Sequence, residues 1–103
     1  MKIMQGDSYP IPVDIMQDGV VVTPEMVEDV EILVGAEIRK RYSTGGVTFE
    51  NGTWYFLLTQ KETFSMSGSN EVVFRLKHPV TGYVHSLLVG YITAIEILQK
   101  EEL

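Results

Sequence analysis

The segment VTFENGTWYFLLT, residues 47–59, decides the fold. Two short apolar runs flank Asn51-Gly52, a dipeptide that favours a type I′ turn because both of its residues adopt positive φ. A two-residue loop of this kind places Phe49 directly opposite Trp54, in a pair without ladder hydrogen bonds, where side chains approach most closely. The segment therefore predicts a β-hairpin.

The two faces of this hairpin differ in character. Because successive side chains of a strand point to opposite sides, one face carries only apolar residues, which are Val47, Phe49, Trp54, Phe56 and Leu58. The other face is mixed and carries Thr48, Glu50, Thr53, Tyr55, Leu57 and Thr59. This contrast is typical of a half-buried antiparallel sheet. We therefore expect the aromatic rings to lie in a core rather than on an exposed ligand platform, since large exposed apolar patches are uncommon on soluble monomers.

The residues before the hairpin also have the pattern of strands. In Ile11–Met16 every second residue is β-branched, and Pro12 indicates a sheet edge because proline cannot donate a ladder hydrogen bond. Gln17-Asp18-Gly19 predicts a turn into Val20–Val22. This part of the chain predicts an edge strand followed by a small hairpin.

Residues 24–41 allow two interpretations. Thr23-Pro24-Glu25 has the chemistry of a helix start, with an N-cap hydroxyl and a proline already at helical φ. A helical stripe could then continue through Val30, Leu33, Val34 and Ile38. The strand interpretation instead uses the strict alternation of Val30, Ile32, Val34, Ala36 and Ile38, most of which are β-branched. We favour one helical turn followed by a strand.

The residues after the hairpin predict one more helical turn and further strands. Thr59–Glu62 matches a capping box and predicts a turn of helix that crosses between the sheets. Ser65–Asn70 predicts a small polar loop, and Glu71–Lys77 alternates as a strand does.

A last hairpin is predicted to end the domain. Pro79–Gly82 predicts a four-residue loop with its glycine in the left-handed conformation. Tyr83–Leu98 predicts a long final strand that could serve both sheets, and Gly90 is a natural site for a bulge. Residues 93–103 could alternatively form a short helix, because Thr93 and Glu96 stand three apart.

These patterns predict an all-β chain. Turn signals recur at a spacing of roughly 8–12 residues, which is typical of a sandwich or small barrel. A length of 103 residues fits one domain, and we expect a single β-sandwich over residues 1–98 followed by an acidic tail over residues 99–103.

The composition excludes several classes of protein. Hydrophobic residues make up 45% of the chain, too many for disorder, yet no stretch approaches the roughly 20 apolar residues of a membrane span. The N-terminus lacks the form of a signal peptide, which favours residence inside the producing cell. A net charge of -6 disfavours nucleic acid, and we expect Arg39-Lys40-Arg41 to be a solvated strand end. The absence of cysteine removes disulfides and every thiolate site.

No motif for catalysis or metal binding stands out. His78 and His85 would share one face of the last hairpin, but no third ligand is placed beside them, and zinc sites need three or four. The Ser43–Gly46 segment lacks the lysine of a P-loop, and there is no G-x-S-x-G elbow. We expect no cofactor and no metal. An enzyme with separated carboxylates is the least favoured class.

The placed strands resemble those of the N-terminal domain family of phage baseplate upper proteins. The resemblance rests on Gln5-Gly6-Asp7 before an edge strand, the polar turn at Asp18-Gly19, a Thr-Pro turn before VEILVG, the hairpin around Gly82 and a final strand. It covers about residues 3–98 of this chain. We assign Gly6 an unusual backbone angle and Asp7 a side-chain hydrogen bond in the turn, and no ligand.

The resemblance implies an antiparallel immunoglobulin-like β-sandwich of about seven strands with one or two short helical turns. It also implies a non-catalytic structural protein of a phage or prophage particle, a tail, baseplate or neck component that binds other copies of itself or neighbouring structural proteins. Members of that family usually continue into further domains, whereas this sequence stops at Leu103, which implies a free-standing module. We expect a homo-oligomer that is made in the bacterial cytoplasm and assembled into a particle.

Four residues are the candidates for interaction, namely Tyr55, Tyr83, His85 and Tyr91. The alternative function is a small carbohydrate- or ligand-binding module that uses Trp54, Tyr55, Tyr83 or Tyr91 as a platform, which predicts an exposed aromatic row. The assembly hypothesis instead relies on exposed strand edges, which a second chain can extend by strand addition.

Overall fold

The computed structural model describes all 103 residues and is mostly β. In chain order, the strands are β1 (Lys2–Met4), β2 (Pro10–Val13), β3 (Met16–Gln17), β4 (Val20–Val21), β5 (Asp29–Val34), β6 (Ile38–Arg41), β7 (Val47–Glu50), β8 (Thr53–Leu57), β9 (Gly68–Lys77) and β10 (Val84–Ile95). One short helix, α1 (Gln60–Ser65), joins β8 to β9, and a 3₁₀ turn covers Pro24–Met26. The prediction of an all-β chain is confirmed.

Two sheets form the body of the molecule. The five-stranded sheet has the order β1-β10-β9-β5-β6, and the three-stranded sheet has the order β2-β8-β7. One core of 19 buried hydrophobic residues is built from their inner faces and from residues of the connecting segments. Trp54 of the small sheet meets Phe74 of the large one with ring centroids 5.7 Å apart. The strands β3 and β4 form a separate small hairpin.

The hairpin that decides the fold has the predicted register. Phe49 lies opposite Trp54 and Val47 opposite Phe56, and Asn51 and Gly52 both have positive φ. Trp54 is completely buried, and its indole Nε1 donates a 2.9 Å hydrogen bond to the carbonyl oxygen of Val22. The aromatic rings lie in the core because this face of the hairpin is the inner face of the small sheet.

The strand interpretation of residues 30–38 is confirmed in part. Val30, Ile32 and Val34 are buried in β5, as the alternation predicts. The strand does not continue through Ala36, however, because the chain turns at Gly35, whose φ is +60°, and returns as β6. A helix in this region is excluded. The predicted turn after Thr23 is present, but the Thr23 side chain makes no capping hydrogen bond.

The number and direction of the strands differ from the expectation. The chain has ten strands rather than about seven, and β1 pairs with β10 in parallel. We missed β1 because it is only three residues long and its partner lies about ninety residues away, so that no local turn reveals the pairing. The strand β9 also begins at Gly68, inside the segment predicted to be a loop.

The last strand is shorter than predicted and has the expected bulge. It ends at Ile95 rather than at Leu98, and no helix forms after it. It belongs to the five-stranded sheet alone. The register shifts between Leu88 and Gly90, so that Leu88 pairs with Val73 and Gly90 with Val72. The bulge reverses which side of the sheet alternate residues face.

The helix α1 is held by hydrogen bonds at its own N-terminus and by a contact with the turn after β1. Its capping box is present: Thr59 accepts a hydrogen bond from the amide of Glu62, and the Glu62 carboxylate accepts one from the amide of Thr59. The buried hydroxyl of Thr63 accepts a hydrogen bond from the amide of Gly6. This contact ties α1 to the turn that follows β1, where Gly6 has a φ of +90°.

Candidate functional site

The two sheets leave their outer faces to a partner, because both inner faces are used by the core. We call the outer face of the five-stranded sheet the basic face. Its charged members are Lys2, Asp29, Glu31, Arg39, Arg41, Glu71, Arg75 and Lys77. We call the outer face of the three-stranded sheet the acidic face. It is formed by Pro10, Pro12, Thr48, Glu50, Thr53, Tyr55 and Leu57.

An apolar row crosses the centre of the basic face. Leu33, Val73 and Leu88 lie side by side on β5, β9 and β10, and Leu88 is 57% exposed. Tyr91, which is 50% exposed, follows on β10 and pairs with Glu71. Residues three apart on a regular strand face opposite sides, and the bulge in β10 is what places Leu88 and Tyr91 on the same face.

A charged row lies beside the apolar one. The Glu31 carboxylate is largely buried and accepts hydrogen bonds from Arg41 Nε at 2.8 Å and from Arg75 Nη1 at 3.1 Å. The hydrogen bond and the charge of Glu31 raise the pKa of Arg41. Both guanidinium groups remain partly exposed. Each arginine therefore keeps donors that can face a partner.

A shallow cleft of about 360 Å³ opens where this charged row meets the start of β5. Asp29, on its wall, accepts hydrogen bonds from the amide of Val30 and from the amide and hydroxyl of Ser43. Burial acts to raise the pKa of Asp29, but these hydrogen bonds and the charge of Arg41 outweigh it and leave the pKa below its ordinary value. Asp29 therefore holds the loop after β6 as an ionised carboxylate.

The lowered pKa of Asp29 predicts a contribution to acid unfolding. A carboxyl whose folded-state pKa is depressed stabilises the fold above its ordinary value of about 3.9, and this stability is lost as the pH falls through the folded-state pKa. As the pH falls below about 4, the free energy of unfolding should decrease less in Asp29→Asn than in the parent. Urea titration at several pH values measures this. Asp18→Asn is the matched control, because the Asp18 carboxylate accepts no hydrogen bond within the chain. An equal effect in both variants would contradict the assignment.

The charge of the basic face is opposite in sign to that of the rest of the protein. The outward positions of its five strands carry five basic and three acidic side chains, a net charge of +2. The remaining three basic and eleven acidic residues give -8. All three arginines of the chain, Arg39, Arg41 and Arg75, lie on this face. A chain that is acidic overall thus presents one basic surface.

The acidic face has an apolar centre and no basic residue in its three strands. Pro12, Tyr55 and Thr48 form one row across it, and Leu57, which is 47% exposed, lies opposite Pro10. Negative charge lies at one end of the face, where Glu50 pairs with Thr53 and the Asp14 carboxylate accepts a hydrogen bond from the Thr53 hydroxyl.

Most strand edges are poorly suited to strand addition. The register set by the Asn51-Gly52 turn directs the backbone hydrogen bonds of Trp54 toward β2. Pro10 and Pro12 are then the residues of β2 whose backbone faces away from β8, and proline offers no amide hydrogen there. At β1, the amide of Met4 donates to Asp7 Oδ2 and its carbonyl accepts from the amide of Asp7. At β6, the carbonyl of Arg41 accepts from the amide of Gly46. These contacts favour contact through faces over contact through edges.

The two prolines predict a specific effect on aggregation. Replacing both Pro10 and Pro12 with threonine would restore two amide hydrogens that face away from β8 on an edge strand, and we expect the variant to scatter more light than the parent at the same concentration. Static light scattering against concentration measures this. Pro79→Thr, a change in a loop, is the control. Equal scattering by the double variant and the parent would show that the prolines do not protect this edge.

The structure separates the predicted interaction residues. Tyr55 lies on the acidic face and Tyr91 on the basic face, on opposite sides of the molecule. Tyr83 is 71% exposed beside the loop of the last hairpin, and His85 is exposed on β10, opposite Leu76. No single row of aromatic rings forms, and Trp54 is in the core.

The two histidines both belong to the last hairpin, His78 directly after β9 and His85 on β10. His78 Nδ1 accepts hydrogen bonds from the amides of Val80 and Thr81 and so shapes the loop. No group of three or more His, Cys, Asp or Glu side chains in the structure could hold a metal ion.

The ion pairs of the basic residues in this region were not predicted from the sequence. Arg41 and Lys40 are ion-paired with Glu31 and Glu62 rather than simply solvated. Leu88 was not singled out, because its outward position depends on a bulge whose location the sequence only suggests through Gly90.

Comparison of this chain with protein-family models, with curated proteins and with solved structures found no match. None of its helices is long and apolar enough to cross a membrane.

Proposed function

We propose that this chain is a non-catalytic assembly protein that binds other proteins through its basic face. The observation that carries the proposal is the exposure of Leu88 and Tyr91 beside the partly exposed Arg41 and Arg75. Clustered apolar side chains on a soluble protein mark interaction sites. Aromatic and arginine side chains are also enriched in protein interfaces, where they supply large contact areas and several donors.

We propose an immunoglobulin-like sandwich as the architecture. The order β2-β8-β7 corresponds to strands B, E and D of that fold, and β10-β9-β5-β6 corresponds to G, F, C and C′. The position beside β2, where strand A would lie, is empty because β1 pairs with β10 instead. The chain departs from antibody domains in lacking cysteine and in having its buried Trp54 on β8 rather than on the strand that corresponds to C.

The proposed setting is a phage or prophage particle, with the chain as a tail, baseplate or neck component. The support is the resemblance to baseplate upper-protein domains, including Gly6 and Asp7. Gly6 has an unusual backbone angle, as expected, with a positive φ, and the Asp7 carboxylate accepts the expected turn hydrogen bond from the amide of Met4. Mass spectrometry of purified particles from the producing bacterium should detect the chain in amounts similar to those of other structural proteins.

The cleft beside the charged row offers little support for catalysis. Each of its carboxylates has a partner: Glu28 lies 3.5 Å from Lys77 Nζ, Asp29 binds Ser43, and Glu31 binds two arginines. The lowered pKa of Asp29 keeps it ionised at neutral pH. A general acid needs the opposite shift, toward the operating pH. These carboxylates are better explained as groups that shape the basic face.

Photo-crosslinking from the basic face tests the proposed function. A photoreactive amino acid at Leu88 should form covalent adducts with another protein during assembly in the producing bacterium, and mass spectrometry would identify the partner. Lys61, which is exposed on α1, is the control position. Adducts to a structural protein of the particle, or to a second copy of the chain, are the expected result. Equal labelling from both positions, or no protein adduct from Leu88, would overturn the proposal.

A further inference from the structure

The two outer faces of the molecule are complementary in charge and similar in their apolar centres. The basic face has Leu88 and Tyr91 at its centre and a net charge of +2. The acidic face has Tyr55 and Leu57 at its centre, with Glu50 and Asp14 at one end and no Lys or Arg in its strands. Two surfaces of opposite charge with exposed apolar centres have the composition of the two sides of one interface.

We infer that the partner of the basic face is a second copy of this chain, which docks through its acidic face. This inference rests on the proposed function and names the partner for it. Contact between two basic faces is disfavoured, because it would bring the arginines of both copies together. Docking through the acidic face avoids this repulsion and places Tyr55 and Leu57 against the apolar row.

The position of the faces determines the kind of assembly. They lie on opposite sides of one sandwich, since both sheets contribute to the same core. A contact between unlike faces leaves one free face on each partner, so that further copies can add. Such heterologous contacts form a ring when the rotation between copies closes and a filament when it does not. A closed two-fold dimer is not the expected product.

The size of the acidic face sets the strength of one contact. Three strands spaced about 4.8 Å apart, with a rise of about 3.4 Å per residue over at most five residues, give a footprint of roughly 15 by 17 Å. Standard stable interfaces bury about 800 Å² on each partner. A single contact is therefore weak, and association should rise steadily with protein concentration. Salt should weaken it, because the Debye length falls from about 10 Å at 0.1 M to about 3 Å at 1 M.

Two variants, each with one damaged face, provide the test by sedimentation velocity. Leu88→Glu places an acidic group in the basic face, and Leu57→Lys places a basic group in the acidic face. Each variant alone should associate at least about tenfold more weakly than the parent, because like charges are brought together. Mixed together, they retain one intact pair of unlike faces, and in the other pair the introduced acid and base oppose each other, so the mixture should regain the association that each variant alone has lost. Val80→Glu, a similar change in an exposed loop, should behave as the parent does.

Each outcome of this experiment decides the inference. Growth of the parent beyond a dimer, loss in both single variants and recovered association in the mixture support it. A parent that is monomeric at every concentration, or one that stops at a dimer, overturns it. Self-association of Leu57→Lys alone also overturns it, since basic faces would then bind one another. The proposed function survives these failures if Leu88 crosslinks to a different structural protein. Circular dichroism must show that both variants are folded.

Discussion

Replacing Trp54 with alanine is expected to lower the free energy of unfolding by about 3–5 kcal/mol. The indole is completely buried between the sheets, where it contacts the rings of Tyr42, Phe49 and Phe74. Its loss would leave a large cavity and an unpaired carbonyl at Val22. A domain of this size has about 5–15 kcal/mol of stability in total. The variant should therefore unfold at much lower urea concentration, followed by far-ultraviolet circular dichroism because the only tryptophan is gone.

The neighbouring Tyr55 provides the matched control for this prediction. It lies one residue further along β8, but its side chain is on the acidic face and only half-buried. Tyr55→Ala should cost much less, since removing a half-exposed ring leaves no closed cavity. Equal losses in the two variants would mean that β8 is not paired in the observed register. In the parent, Trp54 fluorescence should be blue-shifted and resistant to iodide.

Replacing Gly6 with alanine is expected to have the second largest effect. Gly6 has a φ of +90°, and a Cβ there would lie 2.9 Å from two ring carbons of Phe64. The left-handed backbone costs about 1–3 kcal/mol for a residue with a side chain, and overpacking against the ring adds about 1–3 kcal/mol. The neighbouring hydrogen bonds, from the Gly6 amide to Thr63 and from Gln60 Nε2 to the Gly6 carbonyl, hinder a shift of the turn. Urea unfolding followed by Trp54 fluorescence would measure the loss.

A second glycine separates the two causes. Gly45 has a similar φ of +83°, but a Cβ there would meet no atom within 4 Å. Gly45→Ala therefore carries the backbone cost alone, and the difference between the two variants measures the clash with Phe64. If Gly45→Ala destabilised the protein as much as Gly6→Ala, the packing of α1 against the turn after β1 would contribute nothing.

The strands that depend on local pattern could be predicted from the sequence. The hairpin at Asn51-Gly52 and the loop ending in Gly82 both have the expected left-handed residues, because turn chemistry fixes the register of neighbouring strands. The parallel pairing of β1 with β10 could not be predicted, since parallel strands are joined by no short turn. The turn at Gly35 was missed because Val30–Ile38 keeps an unbroken period of two across it.

The candidate site was predictable only in part. Tyr55 and Tyr91 were identified from their strand patterns, and each lies on one of the outer faces. The pairing of Glu31 with Arg41 and Arg75 depends on β5 lying between β6 and β9, which is a property of the sheet order. The apolar row depends on the bulge that turns both Leu88 and Tyr91 outward. Charge complementarity of the faces became visible only once the strands were assigned to sheets.

Hydroxyl-radical footprinting at increasing protein concentration tests most directly whether unlike faces meet. Mass spectrometry would follow the oxidation of Tyr91 on the basic face, Leu57 on the acidic face and Tyr83 beside the hairpin loop. If unlike faces meet, Tyr91 and Leu57 become protected together as the concentration rises, while Tyr83 stays reactive. Protection of Tyr83 alone, or unchanged oxidation of both Tyr91 and Leu57 at every concentration, would contradict such a contact.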